Sequence, residues 1–395
     1  MKGSIIERNG SFRIKVPLGK NARTGKYDSY YETFHGNKTQ AEIRLRQLLT
    51  DLDKGIFVKP GKSTCTDYLK QWLKDYAFTN LSPKTAEGYE SIIYRHLIPV
   101  LGVIPLAQLR PEMIQRYIGD KLTHGRANGQ GGLSSRTVRH HIICLHTALQ
   151  NALKMGMLSR NPVDAVTIPR AERHEIRTMN ESEIHIFLEM ARPTQYYALF
   201  YTALFTGMRR SELLALRWQD VDLLLLQISV NRSLHQVRGG KIIFRQPKTE
   251  KSRRLVALTP STSAVLKEHY DRQNKLRESL GYPALTDDDL VFCQYDGRPL
   301  LPNTVTHNWI KLIRCSGLKG IRFHDARHTH ASLMLKQGIH PKIVQERLGH
   351  SSIQITLDTY SHVAPGLQEA AAKKFDEIVI NKEDTELREI KEITF

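Results

Sequence analysis

Apolar and basic residues alternate near the start of the chain. In FRIKV, Phe12, Ile14 and Val16 fall on one face and Arg13 and Lys15 on the other, the period of two of a half-buried strand. GKNARTGKYD then carries the glycines and charge of a hairpin turn, and YDSYYETF resumes as a Tyr-rich strand. After it Ala41, Leu45, Leu48, Leu49 and Leu52 recur at helical spacing, with Thr39 and Glu42 spaced as a capping box. Residues 1–57 are therefore expected to form a small three-stranded sheet whose apolar face one helix covers.

KPGK at 59–62 reads as a linker, and from 62 to 168 the pattern is helical throughout. Ser82-Pro83 supplies an N-cap and a first-position proline, and that segment closes at Leu97, Leu101 and Gly102. A second long helix is expected from about Ser134 to Met155, stopped by Gly156, with Arg136, Arg139 and His140 as a basic face suited to phosphates. HGRANGQGG between the helices lacks a GK[ST] ending and a preceding strand, so it reads as a flexible loop. A charged linker, RAERHEIR, leads into a mixed helix-and-strand segment over 177–372. Strands are expected there near 221–230, 241–245 and 254–258. The tail, 373–395, reads as helical; acidic residues outnumber basic ones, which favours a protein contact over DNA wrapping. No internal repeat is present. The whole is a multidomain α+β chain.

Charge narrows the partner. The 395 residues carry a formal net charge of +18, spread along the chain, which points to nucleic acid. No long apolar run or lipidation signal supports a membrane, and MKGSIIERNGSF has no signal-peptide core, so a cytoplasmic protein is expected. The four cysteines, Cys65, Cys144, Cys293 and Cys315, form no CxxC pair and read as reduced thiols. In the first segment Arg13, Lys15, Lys20, Arg23 and Lys26 are the candidate DNA contacts; an ordinary solvated face is the competing account.

Four stretches of the third segment group cations around one tyrosine. In TGMRRSELLALRW, Gly207 permits a tight turn and Arg209 opens a helix, where N–H groups and dipole favour an anion. PKTEKSRRLVAL reads as a hairpin whose turn presents Lys248, Lys251 and Arg253. HDARHTHAS places His324 and Arg327 on one helical face. In LGHSSIQITLDTYSH, His350 precedes Tyr360 within a helical hairpin. HDARH also spaces two histidines as HExxH does, but Asp325 replaces the glutamate and Arg327 would set a positive charge beside the metal, so no metal site is expected.

Taken together, these residues resemble the tyrosine recombinase (phage integrase) family. Arg209 matches the first catalytic arginine and Glu212 its acidic companion, a structural group that orients its neighbours. Lys248 matches the hairpin lysine, His324 and Arg327 the HxxR motif, His350 the LGH motif and Tyr360 the nucleophile. The resemblance implies an arm-binding domain, an all-helical SAM-like core-binding domain and a mixed α/β catalytic domain. It implies cleavage and rejoining of DNA through a 3′-phosphotyrosine, integrating or excising a mobile element, with no cofactor because the phosphotyrosine stores the bond energy. The implied partners are double-stranded attachment sites, other protomers in a synaptic tetramer, an excisionase and a host DNA-bending protein. Lys248 is the implied general acid; Lys251, in the same turn, is the alternative. His328 and His330 read as packing groups. A type IB-like topoisomerase, a non-enzymatic DNA-binding regulator and a metal-dependent nuclease are the competing functions. The last needs clustered carboxylates where this chain has arginines and histidines.

Overall fold

The computed structural model describes residues 3–8, 10–20, 25, 27–53, 63–126, 129–170, 177–246, 253–360, 372 and 375–377, with the backbone alone at Lys20 and Tyr360. The linker at 59–62, Arg23, Lys26, Lys248, Lys251 and nearly all of the tail lie outside those residues. The chain divides into two compact units, residues 1–173 and 174–395.

The first unit opens with an antiparallel sheet in the order β1 (Ser4–Arg8), β2 (Ser11–Lys20), β3 (Tyr27–Phe34). Phe12, Ile14 and Val16 are buried against Ala41 and Leu48 of α1 (Lys38–Asp53), so the alternation sets the register by which face must leave water. The start of α1 departs from the expected Thr39/Glu42 box. Asn37 caps it instead: the Gln40 N–H donates to Asn37 Oδ1 (2.9 Å) and the Asn37 N–H to Gln40 Oε1 (3.2 Å). The helix begins two residues earlier because asparagine caps at least as well as threonine.

The rest of this unit is helical. α2 (Cys65–Trp72) and α3 (Phe78–Asn80) are joined by a π-turn at Leu73–Ala77, and α4 (Pro83–Ile92) and α5 (Ile98–Leu101) by another at Ile93–Leu97. α6 (Pro111–His124) and α7 (Ser135–Lys154) complete it. Ser82 and Ser134 cap α4 and α7 by accepting from Thr85 and Thr137 N–H groups. Leu69, Leu97, Ile114, Ile142 and Leu149 share one buried core.

The second unit is built around α9 (Tyr197–Thr206), which is buried almost all round and therefore central. Phe187 of α8 (Glu181–Ala191) and Phe200 pack on Trp309 of α12 (Pro302–Cys315), with Phe323 beside them. Removing a buried ring such as Phe200 costs about 3–5 kcal/mol. α10 (Arg210–Leu213), α11 (Pro260–Ser279), α13 (Asp325–Lys336), α14 (Pro341–Leu348) and α15 (Ile353–Tyr360) supply the remaining helices.

The strands correct two expectations. The single strand over 221–230 is two short ones, β4 (Val221–Asp222) and β5 (Gln227–Val230). Asp222 Oδ1 accepts from the Leu224 and Leu225 N–H groups at 2.9 and 2.8 Å, and Leu226 takes φ 52°, so the leucine run turns on a side-chain bond. β6 (Ser233–Gln236), absent from the sequence expectation, pairs with β7 (Ile242–Arg245), while β8 (Arg254–Ala257) pairs with β5. Hence β7 and β8 do not form the hairpin expected to present Lys248. The hairpin turn lies at 237–241, where the Val237 N–H donates to the Lys241 carbonyl. Lys248 and Lys251 lie outside the described residues, between β7, which pairs with β6, and β8, which pairs with β5.

Candidate active site

Gly207 ends α9 in the left-handed region (φ 65°), and a Cβ there would stand 2.7 Å from Leu348 and 2.9 Å from His330. Only glycine satisfies both demands, and the reversal delivers Arg209 to the start of α10. The sequence reading of an open, anion-seeking helix start is corrected here. α10 is a single turn, and Glu212 already occupies its N-terminus, accepting from the Arg209 N–H at 2.9 Å. Glu212 also accepts from Arg209 Nη1 at 2.8 Å.

Glu212 is 8 % exposed and takes a second guanidinium: Arg254 Nη1 and Nη2 donate to its two oxygens at 3.1 and 2.8 Å. Burial alone would raise its pKa, but the bonds and charges of Arg254 and Arg209 outweigh it and hold the carboxyl at about 2. Glu212 is thus an ionised bracket between two arginines.

Arg327 lies on α13, 3 % exposed; Nη1 donates to the Gly207 carbonyl (2.9 Å) and Nη2 to the Leu348 carbonyl (2.7 Å). Arg209 Nη2 donates to the Gly349 carbonyl at 3.1 Å, and Arg254 Nε to the Arg347 carbonyl at 2.8 Å. Three consecutive carbonyls at the end of α14 therefore each receive a guanidinium from a different element. Carbonyls at a helix C-terminus lack intrahelical donors and carry the negative end of the dipole, so cations collect there.

His350 follows Gly349, half-buried, its Nδ1 paired with Thr356 Oγ1 of α15 at 2.8 Å. Burial, then Arg327 and Arg209, push its pKa down to about 4. The His324 ring meets His328 edge-on, centroids 4.9 Å apart; packing around the ring and the Arg327 charge hold its pKa below the usual histidine range. Both imidazoles are neutral at pH 7. Tyr360 is the last residue of α15, which packs on α13 and α14. Lys248 lies outside the described residues; Arg253 Nη2 donates to Gln246 Oε1 at 2.9 Å.

Sequence reasoning missed Arg254 and Arg347. Arg347 donates to His330 Nε2, the Ala257 carbonyl and the Phe205 carbonyl, tying α14 to α13, β8 and α9. His330 Nδ1 donates to the Leu204 carbonyl, which leaves Nε2 as the acceptor Arg347 needs. The sequence carries no signal for Arg254: it shares the inward strand face with buried Val256, while the apolar Leu255 between them is 61 % exposed, against the expected alternation.

Among the candidate DNA contacts, Arg13 and Lys15 lie over the exposed Tyr31 ring at 4.6 and 5.9 Å, and Arg136 and Arg139 are exposed on α7. Among the described residues no group of His, Cys, Asp and Glu could hold a metal, and no helix is long and apolar enough to cross a membrane. All four cysteines are free.

The phage integrase family profile matches residues 176–366, and that of the phage integrase N-terminal SAM-like domain residues 64–122. The chain is 30% identical over 395 residues to a "Tyrosine recombinase XerC-like" protein of Caldanaerobacter subterraneus, covering 94% of this chain and 98% of that one. The chain belongs to the phage integrase family. It is a tyrosine recombinase, an enzyme that cleaves and rejoins DNA. This family member is also 32% identical over 250 residues to the ICEBs1 integrase of Bacillus subtilis, 63% of this chain and 67% of that one. Its fold matches the Tn1549 transposon integrase solved with circular intermediate DNA (TM-score 0.65, 19% identity, 80% of this chain and 99% of that one). It matches the lambda integrase dimer on a COC′ core site at TM-score 0.55 (21% identity, 90% and 93% covered).

Proposed function

We propose that Tyr360 is the nucleophile of a site-specific recombinase that integrates or excises a mobile element. The phenolic oxygen bonds to phosphorus, the bond to the 5′-oxygen breaks, and the 3′-phosphotyrosine is later attacked by a 5′-hydroxyl. The observation that carries the reading is the arginine collar on α14. Arg209 and Arg327 are anchored from behind by carbonyls 348 and 349, a few residues before the helix that ends in Tyr360. Negative charge grows on the nonbridging oxygens during attack, and planar guanidiniums meet two oxygens at once, as an ammonium cannot. Glu212 orients Arg209.

A phenol of pKa about 10 must lose its proton to attack. Neutral His350 and His324 suit proton acceptance and phosphate contact better than proton delivery. Lys248 protonates the leaving 5′-oxygen. The partners are double-stranded attachment sites and further protomers of a synaptic tetramer: the solved lambda integrase is a dimer on its core site and a tetramer on a Holliday junction. An excisionase and a host bending protein complete the assembly, in the cytoplasm. The arm-binding role belongs to 1–57, core binding to 62–168, catalysis to 177–372 and the protomer contact to 373–395.

Tyr360→Phe tests the reading on a nicked suicide substrate. No covalent adduct should form, while core-site binding by gel shift stays at the wild-type level. An adduct persisting in the variant would assign the chemistry to another residue.

A further inference from the structure

We propose that Arg254 is a positioning residue for cleavage: it neutralises Glu212 so that Arg209 stays aimed at the phosphate rather than collapsing onto the carboxylate. This inference rests on the function proposed above. It follows from how three side chains share one carboxylate. Glu212 is buried and ionised, and Arg209 and Arg254 both bind it. Arg254 meets both its oxygens, whereas the Arg209 side chain meets one through Nη1 and turns Nη2 to Gly349. Remove Arg254, and a buried anion keeps one cation within reach. Arg209 then gains most by closing on Glu212 in bidentate fashion, and its guanidinium rotates away from the collar.

The position of Arg254 fits this task and little else. Its side chain is 6 % exposed, so it does not offer a surface charge to DNA. It is the first residue of β8, directly after the segment carrying Lys248 and Lys251, and Val230 pairs with it in the ladder. Its Nε bond to the Arg347 carbonyl ties that strand to the end of α14. One side chain thereby links the start of β8, the bracket of Arg209 and the helix preceding His350. Gly349 makes room for it: a Cβ there would lie 3.0–3.2 Å from Arg254 Cδ, Nη1 and Cζ.

The test is single-turnover adduct formation on a nicked core site, with gel shift for affinity. Arg254→Met should cleave about 100-fold more slowly at an unchanged core-site Kd, the scale of a small misplacement of a catalytic group. Arg254→Lys, which keeps the charge but loses the fork, should recover part of the rate. The distinguishing variant is Arg254→Met combined with Glu212→Gln. If Arg254 acts by cancelling the Glu212 charge, the double variant cleaves about tenfold faster than Arg254→Met alone, since the competing anion is gone. Multiplying losses in the double variant, or wild-type cleavage by Arg254→Met, would overturn the proposal. Should Arg254→Met fail to fold, Arg254→Lys decides: a slowed rate at unchanged Kd supports the role, and a wild-type rate rejects it. Wild-type protein run alongside Tyr360→Phe separates the two ideas. If wild type forms no adduct, or Tyr360→Phe still does, the nucleophile assignment fails; if Tyr360 is required and Arg254 is dispensable, only this inference fails.

Discussion

Arg327 and Leu348 are joined by a 2.7 Å bond from Nη2 to the backbone carbonyl, and the bond runs between α13 and the last residue of α14. With Nη1 on the Gly207 carbonyl, the guanidinium plane is fixed by two elements before any DNA arrives. Electrostatic catalysis depends on such preorganisation, because a charge already in place needs no rearrangement as the transition state forms.

Arg327→Ala should therefore impair cleavage whatever the leaving group. It should also cost about 1–3 kcal/mol in stability, since two carbonyls are left unpaired. Lys248→Ala should differ. A 5′-bridging phosphorothiolate, whose sulfur departs without a proton, should restore most of its rate and leave Arg327→Ala slow. Equal rescue of both variants would remove Lys248 from the role of general acid.

Crowding around Gly207 and Gly349 makes a stability prediction. Both have positive φ, and both face atoms within about a bond length of contact: Leu348 and His330 at Gly207, Arg254 at Gly349. Gly317 has φ 72° with nothing within 4 Å. Alanine at Gly317 should lose about 1–2 kcal/mol for the left-handed backbone alone. Alanine at Gly207 should lose clearly more, read as a lower urea midpoint, because buried side chains must also move. Equal midpoints for the two variants would refute the crowding.

Three histidines give the second unit an acid limit. His328, His330 and His350 each titrate at about 4 in the folded protein, with burial first among the causes and Arg327, Arg347 and Arg209 among the nearby cations. An unfolded histidine titrates near 6.5. Between about pH 6.5 and 4 the unfolded chain binds the extra protons, so stability falls as pH falls through that window. Urea midpoints from pH 7.5 to 4.5 should decline accordingly, and His330→Gln should flatten the slope. An unchanged slope in that variant would show that His330 takes no part.

The basic face of the first sheet leads to a prediction about the whole assembly. If Arg13, Lys15, Lys20, Arg23 and Lys26 hold a DNA site separate from the crossover core, deletion of residues 1–60 leaves core binding and Tyr360 cleavage measurable. Recombination between full attachment sites should nevertheless drop strongly, as the effective concentration of paired DNA falls. Binding by the intact protein to flanking DNA should weaken steeply with salt. Identical footprints for the intact and shortened proteins would make this domain a packing module.

The sequence by itself determined several of the local elements and brought forward the candidate site residues. The period-two face of Phe12, Ile14 and Val16, the serine caps at Ser82 and Ser134, and the left-handed turn at Gly207 each follow from constraints acting over a few residues. Such constraints are written locally, so they can be read locally. The cap of α1 and the turn after Asp222 went astray where two local solutions competed and a side-chain bond chose between them. What tertiary structure alone decided is the collar. Arg209, Arg254 and Arg327 come from three elements, and only packing of α13, β8 and the α9–α10 turn against α14 brings them to three successive carbonyls. Glu212 reads in sequence as a partner three residues from Arg209. That it also binds Arg254 across 42 residues, and is ionised although buried, depends on a low-dielectric site formed only when those elements meet.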